Sequence, residues 1–272
     1  MNRKFITLLI YILLVILTFI AIAPFYFMMI MGTYRTQNLA QAVSMIPGPY
    51  FTRNLATVLE GGFLRYYWNS LYTAVVFTGV SVIICAMAGY GFAKFDFKGN
   101  KILFVAVVGA MMIPAQLGLV GYVIQMRFLR LGGTLWPIML GDIASCLGVF
   151  WVSQYIRSAL PTSLLESARI DGAGEMRIFL QIALPCVKPA LATLAIIQFV
   201  FSWNNYLRPL VTISNPKLFT IPLGVAALGT MYQVDYAAQI CALALATVPL
   251  IIVFLCGSRT FITGLTSGAV KE

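Results

Sequence analysis

The chain has no histidine, and only eight of its 272 residues are acidic. Without imidazole it lacks both the commonest protein metal ligand and the usual general base near neutral pH. The five cysteines, Cys85, Cys146, Cys186, Cys241 and Cys256, are scattered, and no C-x-x-C pair occurs. Metal centres and histidine-based catalysis are therefore unsupported, and the cysteines read as small buried hydrophobes. Also missing is G-x-x-x-x-G-K-[ST], so nothing cradles a nucleotide phosphate in the P-loop manner. Any ATP used would therefore have to be bound by another chain. No cofactor is expected in this chain, and no enzymatic activity. No low-complexity run, linker or repeat divides the sequence, and residues 1–272 read as a single domain.

What the chain has in excess is apolar surface. Sixty-one per cent of residues are hydrophobic and 10% charged, which places it in the membrane class. A bilayer span needs roughly 20 predominantly apolar residues. Charge-free runs supply spans at about 5–31, 68–93, 102–126, 189–207 and 237–258, and a further run at 135–156 carries one charge, Asp142. The expected fold is all-α, with six transmembrane helices, because the runs are too long and uniform for barrel strands. A shorter stretch, Leu218–Val234, holds Pro222, Gly224 and Gly229 and reads as an outer loop or interfacial element. Arg3, Lys4 and the sequence Ala21-Ile22-Ala23 mimic a signal peptide. The apolar run continues through Pro24 to Met31, so an uncleaved helix fits better. Lys and Arg between spans favour cytoplasmic N- and C-termini, most clearly in the Lys94–Lys101 loop. The net charge of +10 follows from basic residues at span ends, facing lipid headgroups, and does not call for nucleic acid. Pro114 and Pro249 are candidate kinks, and Gly79, Gly89, Gly109, Gly118, Gly121 and Gly148 candidate points of close helix approach.

Between the fourth and fifth runs, residues 157–188 form a long cytoplasmic loop with a charged, glycine-punctuated island, ESARIDGAGEMRIFLQIALP, from Glu166 to Pro185. Ser163 followed by Glu166 has capping-box spacing, with Leu164, Leu165 and Ala168 as an apolar stripe. Asp171-Gly172 is a helix stop. A second short amphipathic piece covers Glu175–Leu184, with Met176, Phe179 and Ile182 on one side, before Pro185 and Pro189. Two short helices meeting at Gly172 are therefore expected on the cytoplasmic surface. Glu166 has structural readings as well: it completes the capping box, or it pairs with Arg169.

The spacing of this island (Glu166-Ser167-Ala168, three residues, Gly172, nine residues, then Ile182-Ala183-Leu184-Pro185) resembles the EAA signature of ABC importer permease subunits. Ser167 for the first alanine is the only departure. The resemblance extends over nearly the whole chain, to the carbohydrate-uptake branch of maltose permease G-subunit type. It is carried by Tyr90-Gly91-Phe92-Ala93-Lys94-Phe95, Met112-Ile113-Pro114-Ala115-Gln116, Trp203-Asn204-Asn205-Tyr206-Leu207 with Pro209-Leu210, and Gly268-Ala269-Val270-Lys271. Arg208 and the terminal Glu272 depart from the family's pattern. The likeness implies a docking site for an ATP-binding subunit at Glu166, Ser167, Ala168, Asp171, Gly172, Ile182, Leu184 and Pro185. It also implies a tail contact through Gly268, Ala269, Val270 and Lys271.

Further implied partners are a second, different permease subunit, two copies of the ATP-binding subunit, an extracytoplasmic solute-binding protein and the bilayer of a prokaryotic inner membrane. The cargo implied is a sugar or oligosaccharide; glycerol phosphate or another polyol is the alternative, and an ion-coupled secondary carrier the rival of another class. Asp142, Trp203, Asn204, Asn205 and Arg208 are candidate pathway residues, since planar polar and aromatic groups suit sugars and an intramembrane carboxylate faces a cavity or a partner. The structural alternatives are an Asp142 paired with a neighbouring helix and an Arg208 snorkelling to headgroups.

Overall fold

The computed structural model describes residues 3–39, 45–228 and 234–269. These residues are helical, with no strand among them. The helices are α1 (Arg3–Met31), α2 (Phe51–Glu60), α3 (Phe63–Lys94), α4 (Asn100–Ala110), α5 (Leu119–Phe128), α6 (Trp136–Leu140) and α7 (Cys146–Ala159). They continue with α8 (Thr162–Ile170), α9 (Glu175–Ile178), α10 (Leu184–Cys186), α11 (Lys188–Trp203), α12 (Leu207–Thr212), α13 (Ile221–Ala226) and α14 (Tyr236–Ala269).

Among the described residues, three helices are long and apolar enough to cross a membrane: Lys4–Met31, Phe63–Lys94 and Tyr236–Ser258. The count rises to five if each of two bent pairs is one span. The expected third span is broken: α4 and the segment Ala115–Phe128 meet at 92°. Pro114 explains the break, since it has no N–H to donate and pushes Ile113 away from helical geometry. The expected fourth span is broken too, between α6 and α7, where Asp142 adopts φ 59°. The fifth, α11, has only 16 residues and follows the segment Glu175–Cys186 at 79°. Pro24 and Pro249, by contrast, lie inside unbroken helices.

The chain packs as two units, Met1–Tyr66 with Leu223–Pro249 and Tyr67–Pro222 with Leu250–Glu272. In the first, Asn54 of α2 is buried and donates to the carbonyls of Gly32 and Tyr34 at 2.8 and 2.7 Å, satisfying the open C-terminal end of α1. Asp235 caps α14, accepting from Ala238 N–H at 3.0 Å and from Thr36 Oγ1 at 2.7 Å. The segment 32–67, expected as an outer loop, thus includes α2 and the first turn of α3.

The second unit holds the larger core. The buried face of α3 runs Ala74, Phe77, Ser81, Cys85, Ala86 and Tyr90, a three-and-four spacing that lines one side of a helix. It meets Val149, Val152 and Ile156 of α7 and Leu194 of α11. Polar ties cross the same interface: Gln198 donates to Ser81 Oγ at 2.7 Å and the Trp151 indole to the Ala190 carbonyl at 3.1 Å. The packing of α3 on α7 depends on two glycines. A Cβ at Gly89 would lie 2.9 Å from the Val152 side chain, and one at Gly148 would lie 2.6 Å from Cys85 Sγ. Gly79, Gly109, Gly118 and Gly121 have nothing within 4 Å and are not points of close approach. Gly148→Leu should therefore lower the melting temperature of the purified protein by the equivalent of about 1–3 kcal/mol through overpacking. Gly109→Leu should leave it unchanged, as differential scanning fluorimetry in detergent would show.

Candidate functional site

The island folds as α8 and then α9, which runs on through Phe179–Ala183 into α10. Leu160 turns extended, Pro161 takes the N-cap position and α8 starts at Thr162. The capping box does not form, because the helix begins one residue before Ser163. Ser163 lies inside the first turn and its carbonyl accepts from Ser167 Oγ at 3.0 Å. The end of α8 is a Schellman motif: Gly172, at φ 78°, donates to Arg169 O at 3.0 Å, and Ala173 donates to Ala168 O at 2.9 Å. Glycine suits the left-handed step that reverses the chain there.

Glu166 does not pair with Arg169. Arg169 reaches across the turn to Glu175 at 2.7 Å, and this hydrogen-bonded carboxylate raises the guanidinium's pKa. Both side chains are exposed, at 39% and 45%, so solvent screens the pair and it adds little stability.

After α9 the helix widens. Phe179–Ala183 is π-helical, and Leu184 N–H donates to Phe179 C=O, five residues back. The widening lies immediately before Pro185, whose ring would clash with the carbonyl four residues earlier in a regular α-helix. It also turns the buried face. Ile178, Phe179 and Ala183 are buried, whereas Met176, expected on the apolar side, is 62% exposed.

Leu165, Ala168, Ile178, Phe179, Ala183 and Val187 join one core cluster with Tyr90, Val152, Ile156 and Leu160. The Tyr90 and Phe179 rings lie 5.4 Å apart. The signature thus splits by role. Ala168 is buried, Ile182 and Leu184 are half-buried, and Glu166, Ser167, Asp171, Gly172 and Pro185 are exposed. Beside them Ile170, at 86% exposure, Met176 and Leu180 face outward. Ile170 and Leu180 were not singled out from sequence, and Met176 only as a member of the buried side; the available signal was their place at non-core phases of a charged island. Of the tail residues, Gly268 and Ala269 end α14, and Val270 and Lys271 lie outside the described residues.

The pathway candidates separate into two groups. Arg208, near the start of α12, turns inward with an 11% exposed side chain and does not snorkel. It donates to the Asp142 carboxylate and, at 3.1 Å, to the Gly141 carbonyl. Its guanidinium lies 5.3 Å from the Tyr122 ring centre, a cation–π contact. A Cβ at Gly141 would collide with Arg208 Cζ, so the guanidinium occupies the space of a missing side chain. Asp142 pairs with a neighbouring element, as one reading of the sequence has it, and its side chain keeps 41% exposure. Asn205 Oδ1 accepts from Arg208 N–H at 3.3 Å. Trp203 stands apart: it is 2% exposed, stacked on Phe199 at 5.6 Å and edge-on to Tyr67 at 5.7 Å, so neither ring face is open. Asn204 is exposed at the end of α11.

The sequence profile described as "Binding-protein-dependent transport system inner membrane component" matches residues 81–262. The chain is 34% identical over 261 residues to the arabinooligosaccharides transport system permease protein AraQ of Halalkalibacterium halodurans, covering 94% of this chain and 93% of that one. It is 30% identical over 253 residues to the lactose transport system permease protein LacG of Rhizobium radiobacter, covering 93% and 92%. Against the sn-glycerol-3-phosphate transport system permease protein UgpE of Yersinia pestis it is 27% identical over 274 residues, 97% of each. Its fold matches a chain in the crystal structure of a bacterial ABC transporter involved in the import of the acidic polysaccharide alginate, with a TM-score of 0.79 at 20% identity, covering 96% and 99%.

Two outcomes follow from the packing. Leu165→Ala, at a site 1% exposed, should cost about 2–5 kcal/mol in denaturant unfolding, while Arg169→Ala should leave the unfolding midpoint nearly unchanged. Arg208→Gln and Asp142→Asn should each destabilise by ~1–3 kcal/mol, less than a fully buried pair because Asp142 is partly exposed, and the double variant should recover part of that loss in a double-mutant cycle.

Proposed function

The chain belongs to the binding-protein-dependent transport system inner membrane component family, and on that premise we propose that it is the membrane permease subunit of an ATP-driven importer of a sugar or oligosaccharide. The single observation that carries the coupling role is the division of the α8–α9 island into a buried half and an exposed half. The buried half, Leu165, Ala168, Ile178, Phe179 and Ala183, seats the island on α3, α7 and α11. The exposed half presents Glu166, Ser167, Ile170, Asp171 and Met176. A short helix with an apolar tip and a carboxylate beside it suits a groove with a basic wall. Such a groove belongs to the ATP-binding subunit, the chain that supplies the P-loop this one lacks.

In this reading, two copies of that subunit dock on the cytoplasmic face, and one takes the island of this chain. A second, different permease subunit completes the pathway, and an extracytoplasmic solute-binding protein delivers the cargo. The chain crosses the inner membrane of a prokaryote six times, each broken helix counting within a span, with both termini in the cytoplasm. ATP-driven closure displaces α8 and α9, the packed core carries the displacement into the spans, and access alternates.

The Arg208–Asp142 pair bears on cargo. Arg208 already holds a carboxylate and a backbone carbonyl, so it offers no free charge to a phosphate. A neutral polyhydroxylated cargo fits that pair better than a phosphate ester, and the partly exposed Asp142 carboxylate can accept hydroxyl hydrogen bonds. The arabinooligosaccharide and lactose systems of the relatives are of this chemical class.

Purification of the transporter with its ATP-binding subunit tests the docking role. Ile170→Glu should reduce the retained ATPase at least tenfold, and Glu166→Ala should loosen it or uncouple hydrolysis from uptake. Neither should change the melting temperature appreciably, since both side chains are exposed. Full retention of a coupled ATPase by Ile170→Glu would rule out this surface as the dock.

A further inference from the structure

The helices α3 and α7 end side by side, and each is capped by a cation belonging to the other. Lys94, the last residue of α3, donates from Nζ to the carbonyl of Leu160, just past the end of α7, and lies 3.4 Å from Thr162 Oγ1, in the first residue of α8. Arg157, in the last turn of α7, donates at 3.2 Å to the carbonyl of Phe92 in the last turn of α3. Its guanidinium lies 5.0 Å from the Phe104 ring centre of α4. Asn100, the first residue of α4, donates to the Phe95 carbonyl at 2.8 Å and reaches that of Phe92 at 3.4 Å.

The last carbonyls of a helix lack intrahelical partners and carry the negative end of its dipole. Two such ends side by side repel, and a cation on each offsets the repulsion while answering the open carbonyls. The reciprocal arrangement has a mechanical result that a glycine cap on each helix would not have: neither end can shift without breaking a bond to the other. Moreover, α8 starts two residues after the Leu160 carbonyl that Lys94 holds. At nine residues α8 is too short to be stable alone, so its placement depends on its root and its buried face.

We propose that Lys94 and Arg157 are positioning residues that lock the root of α8 to the ends of α3 and α7, so that a displacement of the island moves both helices as one body. The inference rests on the proposed coupling role of α8–α9 and adds the residues that pass its motion inward. Neither side chain belongs to the docking surface itself.

Hydrogen exchange by mass spectrometry on the full transporter complex in nanodiscs tests it, with Mg·ATP plus vanadate as the probe. In wild type, trapping should change exchange both in residues 162–178 and in 86–94 and 146–160. In Lys94→Met the change in 162–178 should persist, while that in 86–94 and 146–160 should fall at least fivefold. The amount of ATP-binding subunit retained should be unchanged. A residue that merely stabilised the fold would alter exchange without nucleotide and leave the trapped response intact. Arg157→Met gives the same reading by an independent route should Lys94→Met not accumulate, and Arg157→Lys, which keeps the cation, should retain most of the response. A trapped response in both methionine variants equal to wild type would overturn the lock alone. No response in 162–178 of wild type would overturn the docking role, and the lock with it.

Discussion

The contact on which the rest of the second unit depends is the approach of α3 to α7, where the Val152 side chain lies over Gly89 and Cys85 lies over Gly148. Backbones this close let the two helices share one apolar seam, and the seam continues beyond their ends into Leu165, Ala168, Ile178 and Phe179. The island therefore has no separate core. It is the last layer of the transmembrane packing, and its rigidity derives from helices that enter the bilayer. Dispersion contacts in such a seam are individually small and collectively large, and they are lost together when the helices are held apart.

Several polar groups of the second unit are paired. Gln198 meets Ser81, Trp151 meets Ala190, and Arg208 is held by Asp142, Gly141 and Tyr122. Away from water each pairing fixes a register that apolar contacts alone leave free, because the alternative is an unsatisfied group. Exceptions include Ser153 Oγ, Ser202 Oγ and Arg208 Nε, buried with no hydrogen-bond partner among the described residues. The guanidinium is thus held by charge, by one carbonyl and by an aromatic face rather than by a full set of donors.

Much of this was legible in the sequence, and the reasons differ by element. The helical class followed from run length, and the stop at Asp171-Gly172 from the chemistry of one glycine, both local properties. Pro114 was legible as a candidate kink though not as a right-angle break, and the break at Gly141–Ser145 was hidden inside a run uniform enough to read as a single span. Proline is tolerated at Pro24 and Pro249, so only tertiary surroundings distinguish a break from a passenger. Met176 was misplaced because a three-residue step was read as one face, whereas the buried face of α9 passes through Ile178 and Phe179, on the other side from Met176. Trp203 was legible as an aromatic beside asparagines, but its burial between Phe199 and Tyr67 depends on residues far along the chain. The inward turn of Arg208 depends on the absence of a side chain at Gly141, a feature that no reading of Arg208's own neighbours reveals.

The widened turn at Phe179–Ala183 gives the spacing of the island a geometric meaning. A helix advances about 100° per residue, so a chain shortened or lengthened by one would rotate everything after the turn by that angle. Ala183 would leave the seam, and the direction in which α11 departs would turn with it. The nine residues between Gly172 and Ile182 thus act as a length gauge: they set the angular phase between the surface helix and the span that follows it. Insertions and deletions in this segment should be far less acceptable than substitutions of its exposed residues, whatever their chemistry.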